Sequence, residues 1–176
     1  MTHPDTRRRG TRRKELAETI AWSLVLWLVF HTVSQPYVVE GRSMEGALHD
    51  RARVWVNRMD APERGEVIVF QAPTEDKDYV KRVIGLPGER VTISSGAVAI
   101  NGQRLNEPYL NVATPCTFAV ETCDLIVPPG MVFVLGDNRN NSSDSRTWGA
   151  LDLDRVVGRA WMVYWPPQDM GPITAP

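Results

Sequence analysis

The pattern of apolar and polar positions divides the 176-residue chain into one apolar segment near the N-terminus and a long body of short apolar runs. No residue from 19 to 39 is charged, and the densest apolar part is 20–30. This part is apolar on all sides, whereas a helix on the surface of a soluble protein shows a polar stripe. Since a spanning helix needs about 20 predominantly apolar residues, the pattern predicts a transmembrane helix over 19–36 that ends at Pro36.

The basic head before this segment indicates its orientation. Residues 1–18 carry six bases and three acids, whereas the rest of the chain sums to −4. Positive flanks stay on the cytoplasmic side, so we expect residues 1–18 inside, residues 37–176 outside, and a single pass through the cytoplasmic membrane. A buried helix of a soluble protein is one alternative. A cleaved secretory signal is another, but residues 31–36 offer no small-x-small cleavage site.

The body alternates short apolar runs with turn residues. Short apolar runs include 53–57, 66–70 and 79–84, and the last of these ends at the turn signal 85–88. The chain contains thirteen Gly and thirteen Pro. The pattern predicts a mainly β body, a barrel or a sandwich, with no second spanning segment. A formal net charge of −1 gives no reason to expect a nucleic-acid partner.

Few residues of the body can act as a general base. Of three histidines only His49 lies in the body, and nothing in the sequence places it opposite a nucleophile. A Ser-His-Asp site and a histidine metal site are therefore disfavoured. Arginine stays protonated and cannot be a base, which leaves carboxylates and the two lysines of the body, Lys77 and Lys81.

Lys81 is the stronger lysine candidate because it lies in an apolar run. Strand alternation places Tyr79, Lys81 and Val83 on one face. Burial disfavours the charged amine and lowers its pKa, and a pKa near neutrality requires about 4 kcal/mol of differential solvation. A lone lysine in a strand more often reaches the surface and forms an ion pair, so this pattern alone leaves both interpretations open.

Four motifs follow the apolar segment in a fixed order. They are GRSMEGAL at 41–48, RGEVIVF at 64–70, KRVIGLPGE at 81–89 and GDNRNNSSDSR at 136–146. Together they resemble the four boxes of type I signal peptidases, membrane-anchored serine proteases that cleave signal peptides from exported preproteins. The resemblance covers nearly the whole chain and implies the β-rich body of that family, exported preproteins and the lipid bilayer as partners, and no metal or organic cofactor.

The resemblance also implies roles for individual residues. Ser43 matches the nucleophile and Lys81 the general base of a Ser/Lys dyad. Ser142 matches a serine whose hydroxyl bonds and orients the lysine amine. Asp144 and Arg146 match a structural ion pair that holds their loop.

An oxyanion hole and a substrate groove are further implications. The Ser43 backbone N–H is expected to form part of the hole. Gly41 stands where some relatives supply a serine hydroxyl, so backbone donors are expected to matter more in this chain. The family prefers small side chains at the first and third positions before the cut, and the substrate is expected to add as a strand to an exposed edge. The groove residues that the resemblance implies are Tyr37, Val39, Met44, Leu48, Tyr79 and Val80.

The chain departs from the family in the nucleophile motif. The family usually has Pro-Thr-Leu one residue after the methionine, where this chain has Gly46, Ala47 and Leu48. Because proline restricts φ, its loss is expected to loosen the backbone near the nucleophile.

The two cysteines, Cys116 and Cys123, have six residues between them. The spacing is compatible with a chance pair and with a local disulfide. The disulfide is favoured if the body faces an oxidising space, as the resemblance implies.

Three other classes of protein remain as alternatives. An inactive membrane-anchored peptide-binding protein would not need both Ser43 and Lys81. A self-cleaving Ser/Lys regulator shares the chemistry, but usually carries a DNA-binding module where this chain has its apolar segment. A structural β-domain without an active site leaves the four motifs unexplained.

Overall fold

The computed structural model describes residues 6–59, 61–116 and 122–175. The chain forms two compact units, Met1–Gln35 and Pro36–Pro176. The first unit contains helix α1, Thr6–Val33, and the second is the β-rich body.

Helix α1 contains the apolar segment. Its stretch Lys14–Val33 has a mean hydropathy of 1.6, and none of that apolar window is buried within the protein. Among the described residues this is the one helix long and apolar enough to cross a membrane. The helix ends at Val33 rather than at the predicted Pro36, because strand β1 begins at Ser34 and the residue before a proline prefers extended backbone.

The body confirms the predicted mainly β fold. In chain order, its described strands and its α-helical turn are β1 Ser34–Val38, β2 Arg53–Asn57, β3 Val67–Gln71, β4 Asp78–Gly85, β5 Arg90–Ser94, β6 Ala97–Ile100, β7 Gln103–Arg104, β8 Thr122–Ile126, β9 Met131–Leu135, α2 Ser145–Trp148, β10 Leu151–Asp152, β11 Val156–Trp165 and β12 Gly171–Pro172. The larger sheet has the order β1-β2-β11-β3-β4-β9-β10, with β12 paired to β11, and the smaller sheet has the order β7-β6-β5-β8.

Apolar alternation along the strands builds the core. In β2 Val54 and Val56 are buried while the intervening Trp55 is half-buried, as a strand with one face toward the core requires. These valines pack in one cluster with residues of β3, β11 and the segment after β1. A second cluster joins the smaller sheet to Phe133 and Leu135 of β9.

Strand β4 has a free edge where the site is formed. On one side it pairs with β3 from Asp78 to Arg82, and on the other it pairs with β9 only from Arg82 to Gly85. In the part of the chain that the structure describes, residues 78–81 therefore have a strand partner on one side only. Backbone groups of this edge are available to an added strand.

Candidate active site

Ser43 and Lys81, which lie 38 positions apart in the sequence, meet in the folded body. Ser43 lies in the turn region between β1 and β2, and Lys81 lies in β4. The Lys81 Nζ is 2.8 Å from the Ser43 Oγ and 2.9 Å from the Val80 carbonyl oxygen. A hydroxyl in hydrogen-bond contact with an amine is the arrangement of an activated nucleophile and its base.

The surroundings of Lys81 lower the pKa of its amine. Its side chain is 3% exposed, and burial lowers the pKa of the amine from 10.5 to about 8, although the charges of Asp144 and Asp137 oppose this shift. The Nζ also lies 5.1 Å from the centre of the Tyr79 ring, in keeping with the predicted shared strand face. A pKa of about 8 leaves an appreciable fraction of neutral amine near neutral pH.

This pKa predicts the pH dependence of catalysis. Lysine is a base only when deprotonated, so kcat/KM is expected to rise about tenfold per pH unit below the pKa and to level off above about pH 8. Initial rates of peptide cleavage between pH 6 and pH 9.5, roughly the window that brackets this pKa, measure the profile. A profile that is flat across that window would contradict a lysine base.

Two buried side chains hold the turn that carries Ser43. Met44 and Leu48 are fully buried in the core, and the Leu48 N–H donates to the Met44 carbonyl at 2.8 Å. Between them Gly46 has a φ of +119°, which proline, fixed near −65°, cannot adopt. Glycine permits this backbone conformation, and the buried Met44 and Leu48 anchor the turn on both sides. The loosening expected from the loss of proline stays a prediction.

Four of the six predicted groove residues line a cavity of about 600 Å³, and Ser43 and Lys81 also face it. These four are Tyr37, Val39, Tyr79 and Val80. The prediction for Met44 and Leu48 is corrected, since neither lines the cavity and both pack in the hydrophobic cluster beneath it. The resemblance placed both residues in the nucleophile motif but did not distinguish an anchor of the turn from a wall of the groove.

The Asp144 carboxylate organises the loop 136–146. Asp144 is fully buried and accepts hydrogen bonds from the Gly136 N–H at 3.0 Å and from the Arg146 N–H at 3.2 Å. It also forms a bidentate ion pair with the Arg146 guanidinium at 2.8 and 2.7 Å. As N-cap of α2 it satisfies an otherwise unpaired helix N–H. The pair that the resemblance implies is thus a buried one.

The Ser142 hydroxyl does not make the expected bond to Lys81. Its Oγ is buried and has no hydrogen-bond partner among the described residues, while the Lys81 Nζ already contacts Ser43 and the Val80 carbonyl. The Ser142 side chain instead packs against Gly136. An orienting role for Ser142 therefore remains a prediction.

A buried network behind the dyad was missed in the sequence. Arg82 forms a bidentate ion pair with Asp137 at 2.9 and 2.7 Å, with both side chains 2% exposed. Arg139 pairs with Glu107 and bonds the Thr114 hydroxyl and the Gly136 carbonyl. An arginine next to Lys81 in an apolar run was the available signal, since a buried charge requires a partner.

Cys116 and Cys123 are joined in a disulfide, with their Cα atoms 5.4 Å apart. The segment that leads to Cys116 contacts the loop 136–146, because Arg146 donates to the Pro115 carbonyl at 3.1 Å. The disulfide therefore begins at the residue directly after Pro115, and it ties this segment to β8 of the smaller sheet.

Gly136 lies against the nucleophile turn. A Cβ at this position would lie 2.5 Å from the Ser43 carbonyl oxygen and would also meet the Ser142 side chain. We expect Gly136→Ala to lower kcat/KM by at least about a hundredfold, because a displacement of about 1 Å near a nucleophile has that cost. Gly171→Ala, where a Cβ meets nothing within 4 Å, is the control. Full activity of Gly136→Ala would contradict the close approach.

The comparisons with known proteins agree with this geometry. The family model described as "Signal peptidase, peptidase S26" matches residues 13–165. Signal peptidase IB of Staphylococcus aureus is 37% identical over 176 residues, covering 88% of this chain and 92% of that protein. Signal peptidase I of Bacillus amyloliquefaciens is 41% identical over 162 residues, covering 86% of this chain and 83% of that protein.

A solved structure gives the same result. The crystal structure of a signal peptidase I from Enterococcus faecalis is 36% identical, covers 57% of this chain and 97% of that chain, and superposes with a TM-score of 0.50. The family match extends over most of the chain and includes both Ser43 and Lys81. The chain therefore belongs to the signal peptidase family, peptidase S26.

Proposed function

We propose that the protein is a membrane-anchored serine endopeptidase that removes signal peptides from exported preproteins. The observation that carries the proposal is the 2.8 Å approach of the Lys81 Nζ to the Ser43 Oγ at the wall of an open groove. Membership of the signal peptidase family supports the substrate class. The apolar stretch Lys14–Val33 supports the anchor, and the basic residues before it support a cytoplasmic N-terminus with the body outside.

The reaction proceeds through an acyl-enzyme. Neutral Lys81 takes the proton from the Ser43 hydroxyl as the Oγ attacks the scissile carbonyl carbon, and the oxyanion that forms is stabilised by backbone donors. The C–N bond then breaks, and Lys81 gives its proton to the departing amine. Lys81 next takes a proton from water, the hydroxide attacks the Ser43 ester, and the proton returns to Ser43 as the signal peptide is released.

The groove fits an extended peptide. The free edge of β4 at residues 78–81 offers unpaired backbone groups to a substrate strand. The apolar side chains that line the cavity include Val39, Val54, Val69 and Val80, all of them nearly or fully buried. A floor made of buried branched side chains leaves shallow pockets, so small substrate side chains such as alanine are favoured.

Cleavage of a model preprotein by the full-length protein in detergent tests the proposal. The substrate carries alanine at the first and third positions before the cut, and a matched substrate carries tryptophan at the first. We expect one cut in the alanine substrate, none in the tryptophan substrate, and none with Ser43→Ala of unchanged thermal stability. Failure of the parent protein to cleave, or cleavage that survives in Ser43→Ala, would reject the proposal.

A further inference from the structure

We infer that Asn138 is a positioning residue that orients the peptide bond between Arg42 and Ser43, so that the Ser43 N–H points toward the oxyanion of the reacting carbonyl. The inference rests on the proposed peptidase activity and adds a residue to its machinery. Asn138 has no assigned role in the dyad, and it precedes Ser142, Asp144 and Arg146 in the same loop.

Asn138 bonds two successive carbonyls of the nucleophile turn. Its backbone N–H donates to the Ser43 carbonyl oxygen at 3.0 Å, and its side-chain Nδ2 donates to the Arg42 carbonyl oxygen at 3.0 Å. Two hydrogen bonds from one residue to adjacent carbonyls restrict rotation of the peptide planes on both sides of the Ser43 Cα. The side-chain bond acts on the plane that contains the Ser43 N–H.

The geometry of the peptide bond makes this contact directional. In a planar trans peptide the C=O and the N–H point in opposite directions. Since the Arg42 carbonyl points at the Asn138 amide, the Ser43 N–H must point away from Asn138. No described residue accepts a hydrogen bond from this N–H, so it is available to a ligand.

Gly41 offers the oxyanion no further hydrogen-bond donor. Gly41 has no side chain, and its N–H is already bonded to the Asp50 carboxylate at 2.8 Å. The Ser43 N–H belongs to the nucleophile itself and is unpaired among the described residues, so it is the donor that we assign to the oxyanion. A donor contributes only when it is held toward the place where charge develops, so the bond that holds its plane affects the rate.

The backbone at Asn138 is itself held in place. The preceding residue, Asp137, is clamped by Arg82 in the buried ion pair, and the Asn138 carbonyl accepts from the Asn141 N–H at 3.0 Å. Arg82 follows Lys81 in β4. The buried pair of Arg82 and Asp137 therefore fixes two neighbours. Arg82 holds the strand position next to Lys81, and Asp137 holds the loop position next to Asn138.

Kinetics of Asn138→Ala, with Asn140→Ala as the control, test the inference. Asn140 lies in the same loop, and its side chain is exposed. Because misdirecting a donor costs less than the roughly 10²–10³-fold of removing one, we expect kcat of Asn138→Ala to fall by about 10–100-fold. KM, Tm and the pH midpoint are expected to stay unchanged, since the substrate pockets and Lys81 are unaffected. Asn140→Ala is expected to match the parent.

An isosteric variant keeps the test decisive if alanine perturbs the loop. Asn138→Asp keeps the shape and the backbone bond to Ser43, but a carboxylate cannot donate to the Arg42 carbonyl. Its kcat on the high-pH plateau is expected to fall as in Asn138→Ala. Parent-like kcat in Asn138→Asp, a rise in KM alone, or an equal loss in Asn140→Ala would overturn the inference. A parent protein that cleaves nothing would instead reject the proposed function.

Discussion

Replacement of Lys81 by methionine is expected to abolish cleavage and, at neutral pH, to make the folded protein more stable. The activity loss is expected to be at least about a thousandfold, because a serine hydroxyl without its base is a weak nucleophile. The stability gain follows from burial. Below pH 8 the folded protein holds a charged amine in a site that is 3% exposed, and methionine of similar length carries no charge.

The sign and the pH window follow from the pKa. The amine has an ordinary pKa of 10.5 and a folded-state pKa of about 8, so between these values the unfolded chain binds more protons than the folded protein. The free energy of unfolding of the parent therefore rises with pH across that window. The difference corresponds to about 3 kcal/mol, which is the upper limit of the methionine gain. That gain is fully present below pH 8 and disappears above about pH 10.5.

Chemical denaturation of the full chain in detergent, at pH 7 and at pH 10, measures this effect. Lys77→Met is the control, because the Lys77 side chain is 72% exposed and its replacement removes no buried charge. Activity lost together with a gain that shrinks at the higher pH supports the assignment. A gain of equal size at both pH values would mean that packing, rather than the charge of Lys81, is responsible. Activity retained in Lys81→Met would discard the dyad.

The buried Lys81 lowers stability and is needed for activity, and this combination explains why the sequence indicated it as a candidate base. Burial of a lysine in an apolar strand costs free energy, and Lys81 is one of only two lysines in a body that otherwise uses arginine. The pattern made Lys81 a candidate, and the resemblance assigned it as the base. The β content was equally predictable, since short apolar runs between turn residues are typical of strands. Lys81 and Ser43 were paired by resemblance, because spacing alone does not reveal which strand edge faces which turn.

The sequence was least informative about side-chain directions and about contacts between residues that are distant in the chain. Met44 and Leu48 follow Ser43 within five positions of the chain, yet their side chains pack in the core. Ser142 lies in the expected loop, but its hydroxyl bonds no described residue, so its orienting role stays a prediction. The roles of Arg82 and Asp137 were missed because their partnership spans 55 positions. The hydrophobic pattern predicts which positions are buried, but it does not predict which buried polar groups form pairs with one another.

Truncation of Asp144 is expected to have the largest effect on stability. Asp144→Ala removes the acceptor of the Gly136 N–H and leaves the Arg146 guanidinium, which is 6% exposed, without its carboxylate. Removing one partner of a buried pair costs about 3–5 kcal/mol. Since a domain is stable by only about 5–15 kcal/mol, this loss removes a large share of the free energy of unfolding, and the Tm is expected to fall steeply. Activity is expected to fall with it, because Gly136 packs against Ser43.

Two further variants show whether the loss of stability in Asp144→Ala comes from the unpaired buried charge of Arg146 or only from the loss of an ion pair. Asp124→Ala breaks the pair of Arg90 and Asp124, which is largely exposed, and is expected to leave the Tm unchanged because water replaces the lost contact. The double variant Asp144→Ala/Arg146→Met is expected to be more stable than Asp144→Ala, since it removes the unpaired cation. Equal Tm values for Asp144→Ala and Asp124→Ala would contradict this account. A double variant less stable than Asp144→Ala would show that Arg146 acts mainly through its bonds to the Pro115 and Arg139 carbonyls.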